Sequence, residues 1–244
     1  MTTSKRPNTA MVLAAGLGTR MIHLTKDRPK PLVEVAGTPL LEFSLSQIEK
    51  AGLKKVVVNV HYKAELIRKF LTDREAAATS DLDIVVSDET EQLLDTGGGV
   101  RNALPLLGVE PFYVVNSDIM WCDGVSNGFD LLAEHWREDI MDALLLLAPA
   151  TTAVGYDGQG DFLMEPDGKL MRRPEREQAP FIFAGVQILH PKLLAKCPDG
   201  PFSLNAAWNR AIERGRLYGV RREGVWFHVG SPGAVKAAEN WLAE

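Results

Sequence analysis

Apolar positions switch between two periods along the first half of the chain. Met11–Ala14 is a short apolar run of strand type, whereas Leu41, Leu45 and Ile48 recur at helical spacing until Gly52 stops them. Val56–Val60 is a β-branched run that predicts a buried strand. Leu66, Ile67, Phe70 and Leu71 then mark a helix, and Leu82–Val86 a third strand. Val100, Ala103, Leu104 and Leu107 predict one further helix, closed by Gly108. Phe112–Asn116 predicts a strand that delivers Ser117 and Asp118 to its carboxyl end.

The second half is less regular. Phe129, Leu132, Ala133 and Trp136 form a helical stripe, and Ala143–Ala148 predicts a strand. Asp167-Gly168 predicts a hairpin turn, Phe181–Leu189 and Val225–Val229 further strands, and Ala234–Leu242 a closing helix. Repeated strand–helix–strand units imply an α/β, Rossmann-like fold: a mostly parallel mixed sheet flanked by helices. Ligands of such sheets sit outside the carboxyl ends of the strands, so the loops beginning at Ala15 and Asn116 are expected to face one crevice. No internal repeat or linker breaks the pattern, which gives a single domain over residues 1–244. Within it, residues 1–9 are expected to be a loose polar tail and Thr151–Phe183 a lid-like or sugar-facing portion.

Composition narrows the partners. With 45% hydrophobic residues among 244, the chain can bury a core without staples. Cys122 and Cys197 lie far apart with no metal-ligand spacing, which makes a reducing, cytoplasmic compartment the expectation. Lys5 and Arg6 ahead of Met11–Ala15 imitate a signal peptide only faintly, because Gly16, Gly18 and Arg20 break the run. No segment has the apolar length of a membrane span. A net charge of −5 argues against a nucleic-acid surface but leaves small phosphorylated ligands open where cations cluster.

Such a cluster follows the first strand. Leu13-Ala14-Ala15-Gly16-Leu17-Gly18-Thr19-Arg20-Met21 is succeeded by Pro29-Lys30-Pro31-Leu32, so glycines that admit phosphate oxygens to backbone amides stand near two cations. A solvated glycine-rich turn is the plainer reading. A dinucleotide fingerprint fails, because Met21 stands where its third glycine belongs, and a Walker A loop fails for want of Gly-Lys-Ser/Thr.

These segments, with Val35-Ala36-Gly37-Thr38-Pro39-Leu40, closely resemble the sugar-1-phosphate nucleotidyltransferases. The resemblance continues through Leu94-Asp95-Thr96-Gly97-Gly98-Gly99, Val115-Asn116-Ser117-Asp118, Gly158-Gln159-Gly160-Asp161-Phe162, Phe183-Ala184-Gly185-Val186 and Val229-Gly230-Ser231. Within the family, the short length and the triple glycine look most like uridylyltransferases acting on N-acetylmuramate 1-phosphate. Short guanylyltransferases for mannose or heptose 1-phosphate share the framework.

The resemblance implies the nucleotide-diphospho-sugar transferase type of sheet, with residues 10–120 binding nucleotide and 121–244 binding sugar. It implies a nucleoside triphosphate and a sugar 1-phosphate as partners, Mg²⁺ or alternatively Mn²⁺ as cofactor, and a monomer or small homo-oligomer. Arg20 would hold the departing β- and γ-phosphates, and Lys30 would sit between the triphosphate and the sugar phosphate. Ala14, Ala15, Gly16, Gly18, Thr19 and Asn116 would line the nucleotide, and Gly98 would let the base lie on the backbone. Asp118 would bind metal, and Asp161 and Gly185 would contact the sugar. One departure stands out: His228 occupies the place where the family commonly has a second carboxylate ligand. Imidazole suits softer ions better than Mg²⁺. His228 could bind metal, donate to phosphate or be structural, and a binding protein without turnover is the reading of another class.

Overall fold

The computed structural model describes residues 6–77 and 81–243. Strand β1 (Thr9–Leu13) lies at the centre because both faces of it are apolar: Ala10 and Val12 point into one core and Met11 into the other. After it come a glycine-bearing loop, the short helix α1 (Ile22–Thr25), and a small hairpin of β2 (Glu34–Val35) and β3 (Thr38–Pro39). Helix α2 (Leu40–Lys50) buries Leu41, Leu45 and Ile48, as their spacing predicted. Then follow β4 (Lys55–Val60), helix α3 (Ala64–Ala77) and β5 (Asp83–Asp88).

The expected helix from Val100 to Leu107 is two pieces, α4 (Asp95–Asn102) and α5 (Leu104–Leu107). Pro105 stands at the start of α5, where it has no amide to continue the α4 ladder. Strand β6 (Phe112–Asn116) has the predicted bounds, and β7 (Ile119–Cys122) follows after a two-residue turn. The second half contains α6 (Gly128–His135), β8 (Ala143–Pro149), β9 (Ala153–Val154) and the hairpin β10 (Phe162–Met164) and β11 (Leu170–Arg172) around Asp167-Gly168. It ends with β12 (Phe181–Leu189), α7 (Leu204–Glu213), β13 (Leu217–Arg221), β14 (Val225–His228) and α8 (Pro232–Leu242).

The main sheet runs β5-β4-β1-β6-β12-β8-β13, with β10 and β11 beside the first residue of β12. Strands β5, β4, β1 and β6 are mutually parallel, and β12 is antiparallel to both neighbours. Helices α2, α3 and α6 cover one face, whereas α4, α5 and α7 cover the other. This is the mostly parallel mixed sheet of the nucleotide-diphospho-sugar transferase fold. A second sheet, β7-β14-β9, packs with α8 over a separate core that includes Met21, Leu40, Phe227 and Val235.

Of the expected tail, residues 1–5 lie outside the described residues. Arg6 is anchored to the Ala51 carbonyl at 2.9 Å and paired with Asp130 at 2.6 Å, and Thr9 already belongs to β1. Among the described residues no helix is long and apolar enough to cross a membrane.

Candidate functional site

Parallel pairing sets Leu13, the last residue of β1, beside Asn116, the last of β6. The two loops leaving these strands therefore start side by side, and the Ser117 hydroxyl ties them by donating to the Leu13 carbonyl at 2.7 Å. On the other flank of β1, the Ala14 amide donates to Asn59 Oδ1 at 2.7 Å. Asn59 Nδ2 donates in turn to Glu89 Oε1 at 2.7 Å, and the Leu94 amide donates to Glu89 Oε2 at 3.3 Å. Burial pushes the Glu89 carboxyl above its ordinary range, against the opposing pull of these two hydrogen bonds. A buried polar bridge thus fixes the loop after β1 to the segment entering α4. Sequence reasoning overlooked Asn59 and Glu89. The available signal was a lone amide inside the apolar run Val56–Val60.

The loop after β1 is held from below. Met21 is fully buried in the third core, and the Thr25 hydroxyl donates to the Gly18 and Met21 carbonyls. Gly18 has φ +66°, and a β-carbon there would meet Thr25 and Lys30, so this turn requires glycine. Gly16 has open space where a β-carbon would stand. Arg20 is exposed, and its guanidinium makes no hydrogen bond or ion pair among the described residues.

Lys30 sits in a tight turn between Pro29 and Pro31, whose rings fix the backbone on both sides. Its ammonium meets Asp118 Oδ2 at 2.6 Å, and the two side chains are 12% and 28% exposed. Burial alone would raise the Asp118 carboxyl, but Lys30, His228 and Arg20 together outweigh it and hold it below the usual carboxylate range. His228 arrives from β14, which is aligned by the Val229 amide donating to the Asp118 carbonyl at 3.1 Å. Flanked by Tyr156 and Trp226, its imidazole is lowered by burial more than Asp118 raises it. The ring also lies over Gly230, where any side chain would collide with it.

Ala15, Gly16, Lys30, Asn116 and Asp118 line one cleft of about 480 Å³. Leu13, Asp95 and Thr96, which belong to the quoted motifs but had no role assigned, add walls, as do Asn59 and Pro201. Arg20 stands at the surface near Asp118 and His228, with Thr19 beside it.

Other expected residues do not line this cleft. Ala14 is buried with its amide spent on Asn59, so it supports the cleft without lining it. Gly98 is buried and does not line the cleft. Its amide donates to the Phe202 carbonyl at 3.0 Å, and a β-carbon on it would fall 2.5 Å from the Gly200 oxygen. Gly97 and Gly98 make room for the 200–202 segment, and Gly99 for the Asn59 and Glu89 side chains. Asp161 accepts the Phe183 amide at 2.9 Å, and Gly185, at φ +81°, forms the bulge of β12 against Ile119. Both therefore shape the strand that leads to the cleft.

No group of three or more His, Cys, Asp or Glu residues is placed to hold a metal among the described residues. Asp118 and His228 are near enough to feel each other's charge, and Mg²⁺ usually takes only one or two protein ligands and keeps phosphate and water for the rest. Of the two, the carboxylate is the better partner for such a hard cation.

Residues 9–243 match the family described as Nucleotidyl transferase. The N-acetylmuramate alpha-1-phosphate uridylyltransferase of Caulobacter vibrioides is 46% identical over 241 residues, covering 99% of each chain. The mannose-1-phosphate guanylyltransferase catalytic subunit beta of Drosophila pseudoobscura pseudoobscura is more distant. It is 31% identical over 91% of this chain and 59% of its own. The solved inositol-1-phosphate CTP transferase from T. maritima superposes with a TM-score of 0.77, covering 96% of both chains at 17% identity, a likeness of fold.

Proposed function

The chain belongs to the nucleotidyl transferase family, and from that premise we propose that it transfers the uridylyl group of UTP to N-acetylmuramate 1-phosphate. The products are the UDP-activated sugar and pyrophosphate. One observation carries the chemistry: the Lys30–Asp118 pair stands where β1 and β6 end, with the unpaired Arg20 nearby. The choice of sugar and base follows the end-to-end identity with the Caulobacter enzyme.

The acceptor needs little help to become a nucleophile, since the second pKa of a phosphate monoester is about 6. Its oxygen forms the new bond to the α-phosphorus while the bond to the β-phosphate oxygen breaks, and the electron pair leaves with pyrophosphate. The reaction therefore asks for alignment and for cancellation of crowded negative charge. Arg20 is free to meet the β- and γ-phosphates. Lys30, fixed between two prolines, faces the α-phosphate and the incoming sugar phosphate. Backbone amides around Gly16 and Gly18 complete the cradle. Asp118 and phosphate oxygens would hold a divalent cation, Mg²⁺ or Mn²⁺, which supplies charge neutralisation. Residues 10–120 bind the nucleotide and residues 121–244 the sugar, with Asp161 and Gly185 shaping the latter wall.

The test is pyrophosphate release with UTP or GTP, each paired with N-acetylmuramate 1-phosphate, mannose 1-phosphate or glucose 1-phosphate, under Mg²⁺ and Mn²⁺ separately. Selective turnover of UTP with N-acetylmuramate 1-phosphate is expected. Selective turnover of GTP with another sugar would overturn the substrate assignment and keep the chemistry, while folded protein silent in every combination would overturn both.

A further inference from the structure

The cleft has two ends of different character. Lys30, Asp118 and the nearby Arg20 crowd one end with charge. Leu93 and Pro201 line it together with Asp95 and Thr96 at the entrance to α4, which gives that stretch two apolar walls. An aspartate here is unexpected, because a cleft for a polyanion gains nothing from a carboxylate without a counter-charge. Asp95 is exposed and makes no ion pair among the described residues.

Its backbone sharpens the point. Asp95 has φ +59°, one of four non-glycine residues with positive φ among those described, and of these it alone lines the cleft. Aspartate tolerates this conformation better than most side chains, yet glycine would adopt it at less cost. Helix capping does not account for the carboxylate. The Gly97 and Gly98 amides, which a capping acid would satisfy, both donate to the Phe202 carbonyl. Only the adjacent Thr96 amide donates to Asp95 Oδ1, at 2.5 Å, which leaves Oδ2 without a partner. Two neighbouring side chains are held in place: Asn59 bridges Ala14 and Glu89, and Thr96 Oγ1 accepts the Leu204 amide.

We infer that Asp95 is a specificity residue whose free carboxylate oxygen accepts a hydrogen bond from the ring N–H of the nucleobase, an inference that rests on the nucleotidyl-transfer reading. Uracil and guanine carry that ring N–H, whereas cytosine and adenine present a bare ring nitrogen whose lone pair opposes a carboxylate.

Calorimetric titration of UTP and CTP tests it, each with Mg²⁺ and without sugar phosphate, on the wild type, Asp95→Asn and Asp95→Gly. Wild-type protein is expected to favour UTP by about tenfold or more, the worth of a hydrogen bond to a charged group. Both variants should bring the UTP:CTP affinity ratio close to one. Losing a negative charge tightens every triphosphate alike, so the ratio is the readout. The glycine variant suits φ +59° and should melt no lower than the wild type, which separates recognition from folding. An unchanged ratio, an equal change for both nucleotides, or a wild type indifferent to the base overturns the assignment. Pyrophosphate release, measured in parallel, tells the two readings apart. Turnover of UTP with an unaltered ratio removes Asp95 and keeps the transfer, whereas Asp95-dependent selectivity without turnover does the reverse.

Discussion

At the scale of single residues, the Lys30–Asp118 pair makes the sharpest demand. Each group is partly buried against the other, so removing one strands its partner as well as deleting its own contact with charge. Asp118→Asn and Lys30→Met are each expected to lower kcat by roughly 10²–10³-fold, as loss of a positioned electrostatic group does. The double variant should cost about as much as either single change, because the two act as one unit. Additive losses in steady-state kinetics would show that the residues work independently. His228 asks a different question. Burial holds its imidazole below the ordinary histidine range, which keeps it neutral near pH 7 and available as a ligand. His228→Asp should shift the ratio of Mg²⁺- to Mn²⁺-supported kcat toward Mg²⁺, and an unaltered ratio would exclude position 228 from the metal site.

At the scale of elements, the bridge Ala14–Asn59–Glu89–Leu94 joins the ends of β1 and β4 to the start of α4. Its carboxyl has a raised folded pKa, so the folded state holds the proton more tightly than the unfolded chain. Stability should therefore fall as pH rises from the unfolded value of about 4.5 through the folded one. Glu89→Gln should remove that slope, and urea midpoints measured between pH 4 and 8 for both proteins check it. Gly98→Ala probes the same region from the other side. Its new methyl would press on the Gly200 carbonyl and should destabilise by about 1–3 kcal/mol, the usual range for overpacking. These elements also show what a sequence discloses. Strands with mostly apolar runs, such as β6 and β12, were legible to the residue, and so was the hairpin at Asp167-Gly168. The bridge was not, because a buried Asn inside a strand reads as an interruption until its partner from a distant loop is known. Gly98 is opaque for a related reason. Small residues announce a close approach without saying what approaches, and here it is the 200–202 segment. Helix α7 was overlooked although Ser203 caps it and Leu204, Ala207, Trp208 and Ala211 follow at helical spacing.

At the scale of the molecule, the cleft draws on both halves of the chain. Its floor comes from β1 and β6, while Pro201 arrives from beyond residue 200. The halves are not loosely joined. Strand β12 pairs directly with β6 through Val186–Leu189, and the Gly97 and Gly98 amides of α4 bind the Phe202 carbonyl just ahead of α7. A ligand that grips Arg20 and Lys30 should therefore stabilise the whole sheet and not one half of it. Near 100-fold excess over its dissociation constant, a nucleotide bound only to the folded state adds about 2.7 kcal/mol. For a chain of this length that corresponds to a rise in melting temperature of roughly 5–10 °C. Calorimetry with UTP and Mg²⁺ should show a single transition displaced by that amount, and Arg20→Ala should reduce the displacement at the same UTP concentration. Two transitions, of which UTP moves only the first, would mean that the halves unfold separately, and the shared pairing of β6 with β12 would then carry less cooperativity than its continuous register implies.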